Sequence, residues 1–432
     1  APGRGGRADP AAMLREDADL REPAARLLLE FLGVVARPVS AAELAAASGL
    51  GLSAVRDTLG AMAGLVTLEH EGRGRSAVYS LASDSLREEV AASLSARART
   101  RMHRACAAAI EAKAPRRRDA GVLASLVRHL VLAGALPGAR ANLPAAVRAL
   151  RDEGNSGTAC RLVALLFEHE RDFRRRIGLV AMLSELAQQS GQDELAVEAL
   201  ASVRPRLRGR ARLQITQRLG VHLLKLGREK NALALFQEGR RRADPARDRE
   251  DLVDLEAETA DLFILRGDFA AAEAACRRGL ALVEGFAGRD IVRKGEIMLR
   301  GIAGRLQLRR LELREAVKEF RRALGLIRAG DDQGPRALLL NNLAVAYNQR
   351  NDFARARAAF RAAERISRRL GHADGLLHIA CNLAVVAAKT GDGAEARAEL
   401  ARARGLLADV PGERSRFLAA QTATLGCRAI RA

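Results

Sequence analysis

LNNLAVAYNQRNDFARARAAFRAA, residues Leu340 to Ala363, contains two short amphipathic helices separated by a polar turn. Leu343 and Tyr347 lie one helical turn apart before that turn, and Ala356 and Phe360 repeat the spacing after it. This pattern predicts an αα-hairpin, in which small residues allow close helix approach and aromatic rings fill the space beside them. One hairpin cannot bury its apolar side alone, so the sequence should contain more of them.

The hairpin pattern recurs in the second half of the chain. In each unit, small and large apolar residues return at matching places around a turn. The turn positions are Gly227, Gly267, Leu311, Asn351 and Gly391. Successive turn positions lie 40, 44, 40 and 40 residues apart, and five units in register argue against chance.

These motifs resemble the tetratricopeptide repeat (TPR) family. Leu219-Gly220 matches the leucine-glycine step of the first helix, and Ala232 and Phe236 match the alanine and phenylalanine of the second helix. The usual repeat is about 34 residues long, so each unit here has a longer second helix or connecting loop, and the chain contains no Trp. The resemblance is strongest from Leu213 to Ala403 and implies a right-handed α-solenoid of helical hairpins.

The first helix of each unit lines the concave groove of such a solenoid. The predicted groove residues are Arg309, Asn341, Asn342, Val345, Asn348, Gln349, His378, Asn382 and Lys389. In peptide-binding TPR proteins, an asparagine at the place of Asn342 and Asn382 often binds the ligand backbone. Arg309 and Lys389 could pair with carboxylates of the same ligand. The alternative is that the amides bridge adjacent hairpins, and the sequence leaves both interpretations open.

The composition indicates a mainly helical chain of 432 residues with a net charge of +20. Residues 1–120 contain 18 basic and 15 acidic residues, so +17 of the net charge falls on the helices that follow. There the arginines occupy outward positions such as Arg355, Arg357 and Arg361, which indicates a solvated face and disfavours nucleic acid as a partner. An acidic peptide or protein attracted to the array is the second interpretation.

Residues 22–83 predict a winged helix, which follows a linker rich in Gly, Pro and Arg over residues 1–21. Ser40 and Glu43 form a capping box for the second of three predicted helices. The predicted hairpin consists of the β-rich runs Leu65–His70 and Ser76–Leu81. Three helices followed by a hairpin are typical of a winged helix.

The predicted DNA-reading surface of this module is poor in basic residues. The third helix, LSAVRDTLGAMA, carries one arginine and one aspartate, and it offers no Asn, Gln or Lys to a base edge. The wing sets Arg73 and Arg75 against Glu69 and Glu71. Because such a surface neutralises few phosphates, the predicted role is that of a spacer domain within the chain.

A second resemblance covers residues 22–152. The order of motifs is similar to the region after the ATPase core in signal-transduction ATPases with numerous domains (STAND), some of which are fused to bacterial serine/threonine kinases, cyclases or transcription factors. The matching positions are Tyr79, Asp84, Arg87, Glu88, Met102-His103, Arg128-His129 and Ala133-Gly134. Ser83 stands where the family has a histidine, so a nucleotide contact through that histidine is not implied here.

These resemblances divide the chain into five segments. The predicted segments are a linker 1–21, a winged helix 22–83, a helical connector 84–118, irregular TPR-like hairpins 119–205 and a TPR array 206–432. Arg416–Ala432 looks like the first helix of a further repeat, and the sequence begins without Met. We therefore expect the chain to be a piece of a longer protein whose upstream part binds nucleotide.

The sequence contains no motif that carries chemistry. A Gly-x-x-x-x-Gly-Lys-Ser/Thr loop, a His-Glu-x-x-His pair and a Gly-x-Ser-x-Gly turn are all absent, and the histidines are isolated along the chain. We therefore predict no catalytic residue, no cofactor and no metal site. The five cysteines are dispersed, which indicates a reducing cytoplasm, and no apolar run is long enough to span a bilayer.

The leading hypothesis is a non-catalytic sensor region of a bacterial cytoplasmic signalling ATPase or kinase that binds a protein or peptide in its groove. One alternative is a transcriptional regulator whose winged helix contacts DNA through Arg56 and Arg73. Another alternative is a free-standing TPR scaffold. An open frame upstream of Ala1 that encodes a phosphate-binding loop favours the first hypothesis, and a start codon close by favours the last.

Overall fold

A computed structural model describes residues 22–35, 37–62, 64–71, 76–112, 119–284 and 290–407. The chain divides into two compact units, residues 1–195 and 196–432. Three features predicted above lie outside the described residues: the linker 1–21, the wing arginines Arg73 and Arg75, and the further helix Arg416–Ala432. No helix in the described part of the chain is both long enough and apolar enough to cross a membrane.

The first unit begins with three helices and a small sheet. Its first elements are α1 (Pro23–Val34), β1 (Val39–Ser40), α2 (Ala41–Ser48), α3 (Leu52–Ala61), β2 (Val66–Glu71) and β3 (Ser76–Leu81). The strands are antiparallel in the order β1-β3-β2, and Tyr79 on β3 lies between Val39 and Leu68. The predicted capping box is confirmed, because Ser40 Oγ accepts from the Glu43 amide and the Glu43 carboxylate accepts from the Ser40 amide.

Helices make up the rest of the first unit. They are α4 (Asp84–Ser93), α5 (Ala96–Ala112), α6 (Ala120–Leu132), α7 (Leu136–Asp152), α8 (Ser156–His169) and α9 (Phe173–Ser190), and α10 (Asp193–Val203) follows. Ser83 is the N-cap of α4, since its Oγ accepts from the Leu86 amide at 3.1 Å. The serine at this position therefore has a local structural role.

The second unit is a stack of helical hairpins. After a 3₁₀ turn (Arg204–Arg206), its helices are α11 (Gly209–Lys225), α12 (Glu229–Arg242), α13 (Arg249–Arg266), α14 (Phe269–Val283), α15 (Asp290–Arg309), α16 (Leu313–Leu326), α17 (Gly334–Gln349), α18 (Phe353–Leu370), α19 (Ala373–Lys389) and α20 (Gly393–Leu407). Each odd-numbered helix packs against the next helix in sequence to form a hairpin, and the hairpins pack in succession. The predicted TPR-like α-solenoid is therefore confirmed for the residues described here.

Small residues on the first helix of a hairpin face large residues on the second. A Cβ atom added to Gly304 would lie 2.6 Å from the ring of Phe320, and one added to Gly220 would lie 2.2 Å from the ring of Phe236. These phenylalanine rings are buried, as is Phe360 in a later hairpin. The small residues of the sequence pattern thus provide the space that the rings fill.

The five predicted turn positions share one backbone conformation. Gly227, Gly267 and Gly391 have φ values of 70°, 76° and 77°, and Leu311 and Asn351 have φ values of 63° and 59°. All five are therefore in the left-handed region, which favours glycine and asparagine over a branched residue such as leucine. Repetition of this turn aims each second helix back along the first.

Candidate functional site

The first helices α11, α13, α15, α17 and α19 pack against one another as well as against their own second helices. Their outward sides form one surface, which we call the first-helix groove. It consists of the residues two, six, nine and thirteen positions before each turn: Lys225, Val221, Arg218 and Gln214 on α11; Leu265, Asp261, Glu258 and Asp254 on α13; Arg309, Arg305, Ile302 and Met298 on α15; Gln349, Val345, Asn342 and Leu338 on α17; and Lys389, Val385, Asn382 and His378 on α19. All of these residues except Ile302 are exposed or half-buried.

The residues predicted for the groove fall on this surface in most cases. The side chains of Arg309, Gln349, His378 and Lys389 are exposed. Half-buried positions are occupied by Asn341, Asn342, Val345 and Asn382. Asn348 is instead buried, with 9% of its surface exposed, so its side chain is not open to a ligand.

One pair of groove amides bridges two hairpins. Asn382 Nδ2 on α19 donates to Asn341 Oδ1 on α17 at 3.2 Å. This contact matches the structural alternative that the sequence left open, and it engages one polar atom of each amide. Asn342 instead lines a cavity.

A cavity of about 500 Å³ opens between α13, α15 and α17. This volume lies within the range of small-molecule and side-chain binding pockets. The lining residues are Ala257, Glu258, Asp261, Lys294, Ile297, Met298, Gly301, Ile302, Arg305, Ile327, Asp331, Asp332, Gly334, Pro335, Leu338, Leu339 and Asn342. The wall is mainly apolar, and Leu338 on it is 58% exposed, which is unusual for a large apolar side chain.

Two carboxylates of α13, Glu258 and Asp261, line one edge of the cavity, and Asp254 lies outside this lining on the same helix. Asp254, Glu258 and Asp261 follow one another at intervals of one helical turn. Arg305 on α15 binds Asp261, with Nη2 and Oδ1 2.9 Å apart. Within the described part of the chain, Asp254 and Glu258 have no hydrogen bond or ion pair.

Burial and neighbouring negative charges change how easily Asp254 and Glu258 ionise. Burial, followed by the negative charges of Asp261 and Asp254, raises the pKa of Glu258 to about 7, although Arg305 opposes this shift. Burial and the charges of Asp251 and Glu250 raise the pKa of Asp254 to about 6. Near pH 7 the edge of the cavity is therefore only partly ionised, and a nearby cation would favour the ionised form.

The other carboxylates of the cavity have their own partners. Arg293 binds Asp331, and its Nη2 lies 2.9 Å from Asp331 Oδ1. That hydrogen bond, together with one from the Arg328 amide, holds the pKa of Asp331 well below its ordinary value. Asp332 Oδ1 accepts from the Gly334 amide at the start of α17. Glu258 thus differs from these groups in being unpaired.

A second cavity, of about 380 Å³, lies between α11 and α12. One of its two carboxylates, Glu238, is bound by Arg204, Arg212 and Arg242, and the other is Asp248. Burial alone would raise the pKa of Glu238, but the hydrogen bonds and charges of these arginines outweigh burial and lower it. Because three arginines already bind Glu238, this carboxylate offers a ligand less than Glu258 of the first cavity does.

The sequence analysis missed Asp254, Glu258, Arg305, Met298 and Leu338. The signal was present, because nine residues before the turn is the position that selects Asn342 and Asn382, and it also selects Glu258. The acidic first helix α13 lies outside the two units that match the repeat pattern best, so its side chains were not predicted.

In the first unit, two histidines that look isolated along the chain form a buried pair. His103 on α5 and His129 on α6 have their Nδ1 atoms 2.8 Å apart. Burial, and then the charges of Arg128 and Arg99, lowers the pKa of His103 to about 4. Burial, followed by the charge of His103, lowers the pKa of His129 to about 3. Both rings are therefore neutral at neutral pH and join the two helices.

Across the described ranges, no three His, Cys, Asp or Glu side chains come together in a group that could hold a metal ion. Burial raises the pKa values of the Cys106 and Cys276 thiols to about 12, so neither is a thiolate at neutral pH. Of the sites described, the groove and its cavity are therefore the best suited to bind a ligand.

Solved structures with a similar fold include several TPR proteins. One is a signal transduction ATPase with numerous domains and a tetratricopeptide repeat sensor from Pyrococcus horikoshii, which is 14% identical over 93% of this chain and 62% of that chain, with a TM-score of 0.44. This chain thus spans less than two thirds of that protein. Another is a tetratricopeptide repeat protein from Parabacteroides merdae, which is 16% identical over 65% of this chain and 97% of that chain, with a TM-score of 0.42.

A third similar structure is a Rap protein complexed with Competence and Sporulation Factor. It is 15% identical over 67% of this chain and 76% of that chain, with a TM-score of 0.42. The chain is TPR-like in fold. No protein-family model matches the sequence, and no curated protein matches it either.

Proposed function

We propose that the second unit is a protein-interaction module whose first-helix groove binds a segment of a protein or peptide. The observation that carries this proposal is the cavity of about 500 Å³ between α13, α15 and α17, with its exposed Leu338 and half-buried Asn342. A groove lined by polar and apolar side chains, with one deep cavity, suits an extended segment that inserts a side chain.

Two cations of the groove are proposed to bind acidic residues of the partner. Arg309 and Lys389 are exposed and occupy the same position, two residues before the turn, on α15 and α19. Neither has a carboxylate partner among the described residues. Ligand carboxylates placed there would replace water without breaking an internal ion pair.

A peptide array tests the groove. The combined substitutions Arg309→Glu and Lys389→Glu should remove binding to acidic array peptides, because like charges then face each other. Lys318→Glu is the matched control, since Lys318 is exposed on the second helix α16 and pairs with Glu315. Unchanged array binding by the double variant would exclude both residues from recognition.

We further propose that residues 22–83 form a winged helix and that the chain belongs to a cytoplasmic bacterial signalling ATPase or kinase. The three helices α1 to α3 and the three-stranded sheet of order β1-β3-β2 support the winged helix. The sequence similarity over residues 22–152 supports the assignment to a signalling ATPase or kinase. An upstream reading frame that encodes a phosphate-binding loop is the expected finding, and a start codon adjacent to Ala1 would contradict the assignment.

A further inference from the structure

The cavity between α13, α15 and α17 has one apolar wall and one acidic edge. Met298, Ile302 and Leu338 contribute to the wall, and Glu258 contributes to the edge. Among the lining residues the acidic ones are Glu258, Asp261, Asp331 and Asp332, and the basic ones are Lys294 and Arg305. The charge of the lining is therefore negative, in contrast to the net charge of +20 of the chain.

We infer that this cavity takes an apolar side chain of a partner segment that carries lysine or arginine within two residues of it. The inference rests on the proposed function, because it specifies the chemistry of the segment that the groove binds. It goes beyond that function because it assigns a basic residue of the partner to α13, whereas Arg309 on α15 and Lys389 on α19 are proposed to bind acidic residues.

The apolar requirement follows from the wall. Leu338 is 58% exposed at the mouth, and the neighbouring Leu339 is buried with 4% exposure. An aliphatic or aromatic side chain inserted there would remove Leu338 and Met298 from water together. A polar side chain would lose its own hydration without gaining partners on this wall.

The basic requirement follows from the edge. Asp254 and Glu258 lie one helical turn apart on α13 and have no internal cation, whereas Asp261 has Arg305. A ligand ammonium or guanidinium group beside them would donate hydrogen bonds to both carboxylates and would compete with no existing ion pair. A ligand carboxylate at the same place would face like charges, so the edge also excludes acidic segments.

Selection from a phage-displayed library of random dodecapeptides tests the inference with the complete chain as bait. The library includes tiles of residues 408–432 of the chain itself. The enriched peptides should contain an apolar residue next to or one residue away from lysine or arginine. Leu338→Ser should weaken the best peptide at least tenfold, while Leu370→Ser, on the second helix α18 and outside the cavity, should not.

The charge contact is tested by a double-mutant cycle. Asp254→Asn combined with Glu258→Gln should weaken a lysine-containing peptide about tenfold or more and should leave the same peptide with norleucine in place of lysine unchanged. Glu315→Gln, at an exposed carboxylate on α16, is the control. Circular dichroism spectra that match the wild type show that each variant is folded.

Each outcome separates the inference from the proposed function. Enriched peptides that lack the apolar–basic pair, or that bind Leu338→Ser equally well, overturn the inference and leave a peptide-binding groove. Enrichment of only the residue 408–432 tiles would show that the cavity binds the chain's own segment, and it would overturn the inference that the segment belongs to a partner. No enrichment over the library background contradicts the proposed function and the inference together.

Discussion

The two faces of α13 carry glutamates only two residues apart, and their surroundings are opposite. Glu256 is buried with 3% exposure, and Arg278 on α14 binds both of its oxygens at 2.9 and 2.7 Å. Glu258 faces the groove without a cation. One helix therefore presents a carboxylate that holds a hairpin together and, on its other face, a carboxylate without an ion-pair partner.

The same division extends through later hairpins. On the second helices, Glu364 contacts Arg361, Arg368 and Arg402. Burial alone would raise the pKa of Glu364, but the hydrogen bond from Arg361 and the charges of the three arginines outweigh it and hold the pKa below its ordinary value. Glu364 on a second helix is thus satisfied internally, whereas Glu258 on a first helix has no ion-pair partner.

The largest effect is expected from Glu256→Gln. The substitution leaves the Arg278 guanidinium without its bidentate acceptor between α13 and α14, so the free energy of unfolding should fall by roughly 2–4 kcal/mol. Urea unfolding at pH 8 measures this change. Glu315→Gln, which breaks an exposed pair with Lys318, should cost less than about 0.5 kcal/mol. Equal effects of the two substitutions would show that the buried Glu256–Arg278 pair stabilises the fold no more than an exposed pair does.

Glu258→Gln should have the opposite sign. The pKa of Glu258 is about 7 in the folded chain, above its ordinary value of 4.5, so the folded state binds a proton that the unfolded state has lost. The free-energy cost of ionising Glu258 in the folded chain is absent below pH 4.5, grows as the pH rises from 4.5 to 7 and is complete above pH 7. The variant should therefore be more stable than the wild type by roughly 1–3 kcal/mol at pH 8 and equal to it at pH 4.

Differential unfolding at those two pH values tests the sign. The comparison is between variant and wild type at the same pH, because other carboxylates also titrate. A destabilised Glu258→Gln at pH 8 would mean that the carboxylate already has an internal partner. The statement that Glu258 has no internal partner would then be wrong.

Peptide affinity should also depend on pH. A peptide with an apolar residue beside lysine should bind about tenfold more tightly at pH 7.5 than at pH 5.5, because Asp254 and Glu258 ionise across that interval. Asp261 on α13 is paired with Arg305 on α15, and burial raises the pKa of Asp261 as well. Fluorescence polarisation measures the profile, and it should flatten in Asp254→Asn/Glu258→Gln. A profile unchanged by that double substitution would contradict the contact.

The smallest effects are expected at the asparagines. Asn382→Ala removes the bridge to Asn341 and should cost about 0.5–1 kcal/mol of stability with little change in peptide affinity. Asn342→Ala should do the reverse, because Asn342 lines the cavity. Unfolding and binding measured on the two variants test this pairing, and the same response from both would show that groove amides have one common role.

Much of the fold follows from the local spacing of residue types. The small and large residues around Gly304 and Phe320, the turn positions and the capping box at Ser40 are signals of only a few residues, and the structure contains each of them. Local backbone geometry dictates such features, so a sequence determines them before distant parts of the chain meet. That Leu311 adopts a glycine-like φ of 63° is harder to foresee, because the hairpin around it imposes the turn.

The functional surface could be predicted only in part. The repeat register identified Asn342 and Asn382 as groove positions, and the same arithmetic selects Glu258. Sequence spacing could not show that Glu256 is ion-paired and Glu258 is not, nor pair His103 with His129, because both outcomes depend on residues of other helices. Periodicity along one helix fixes which side a residue lies on, whereas burial and ion pairing are set by what the folded chain places opposite it.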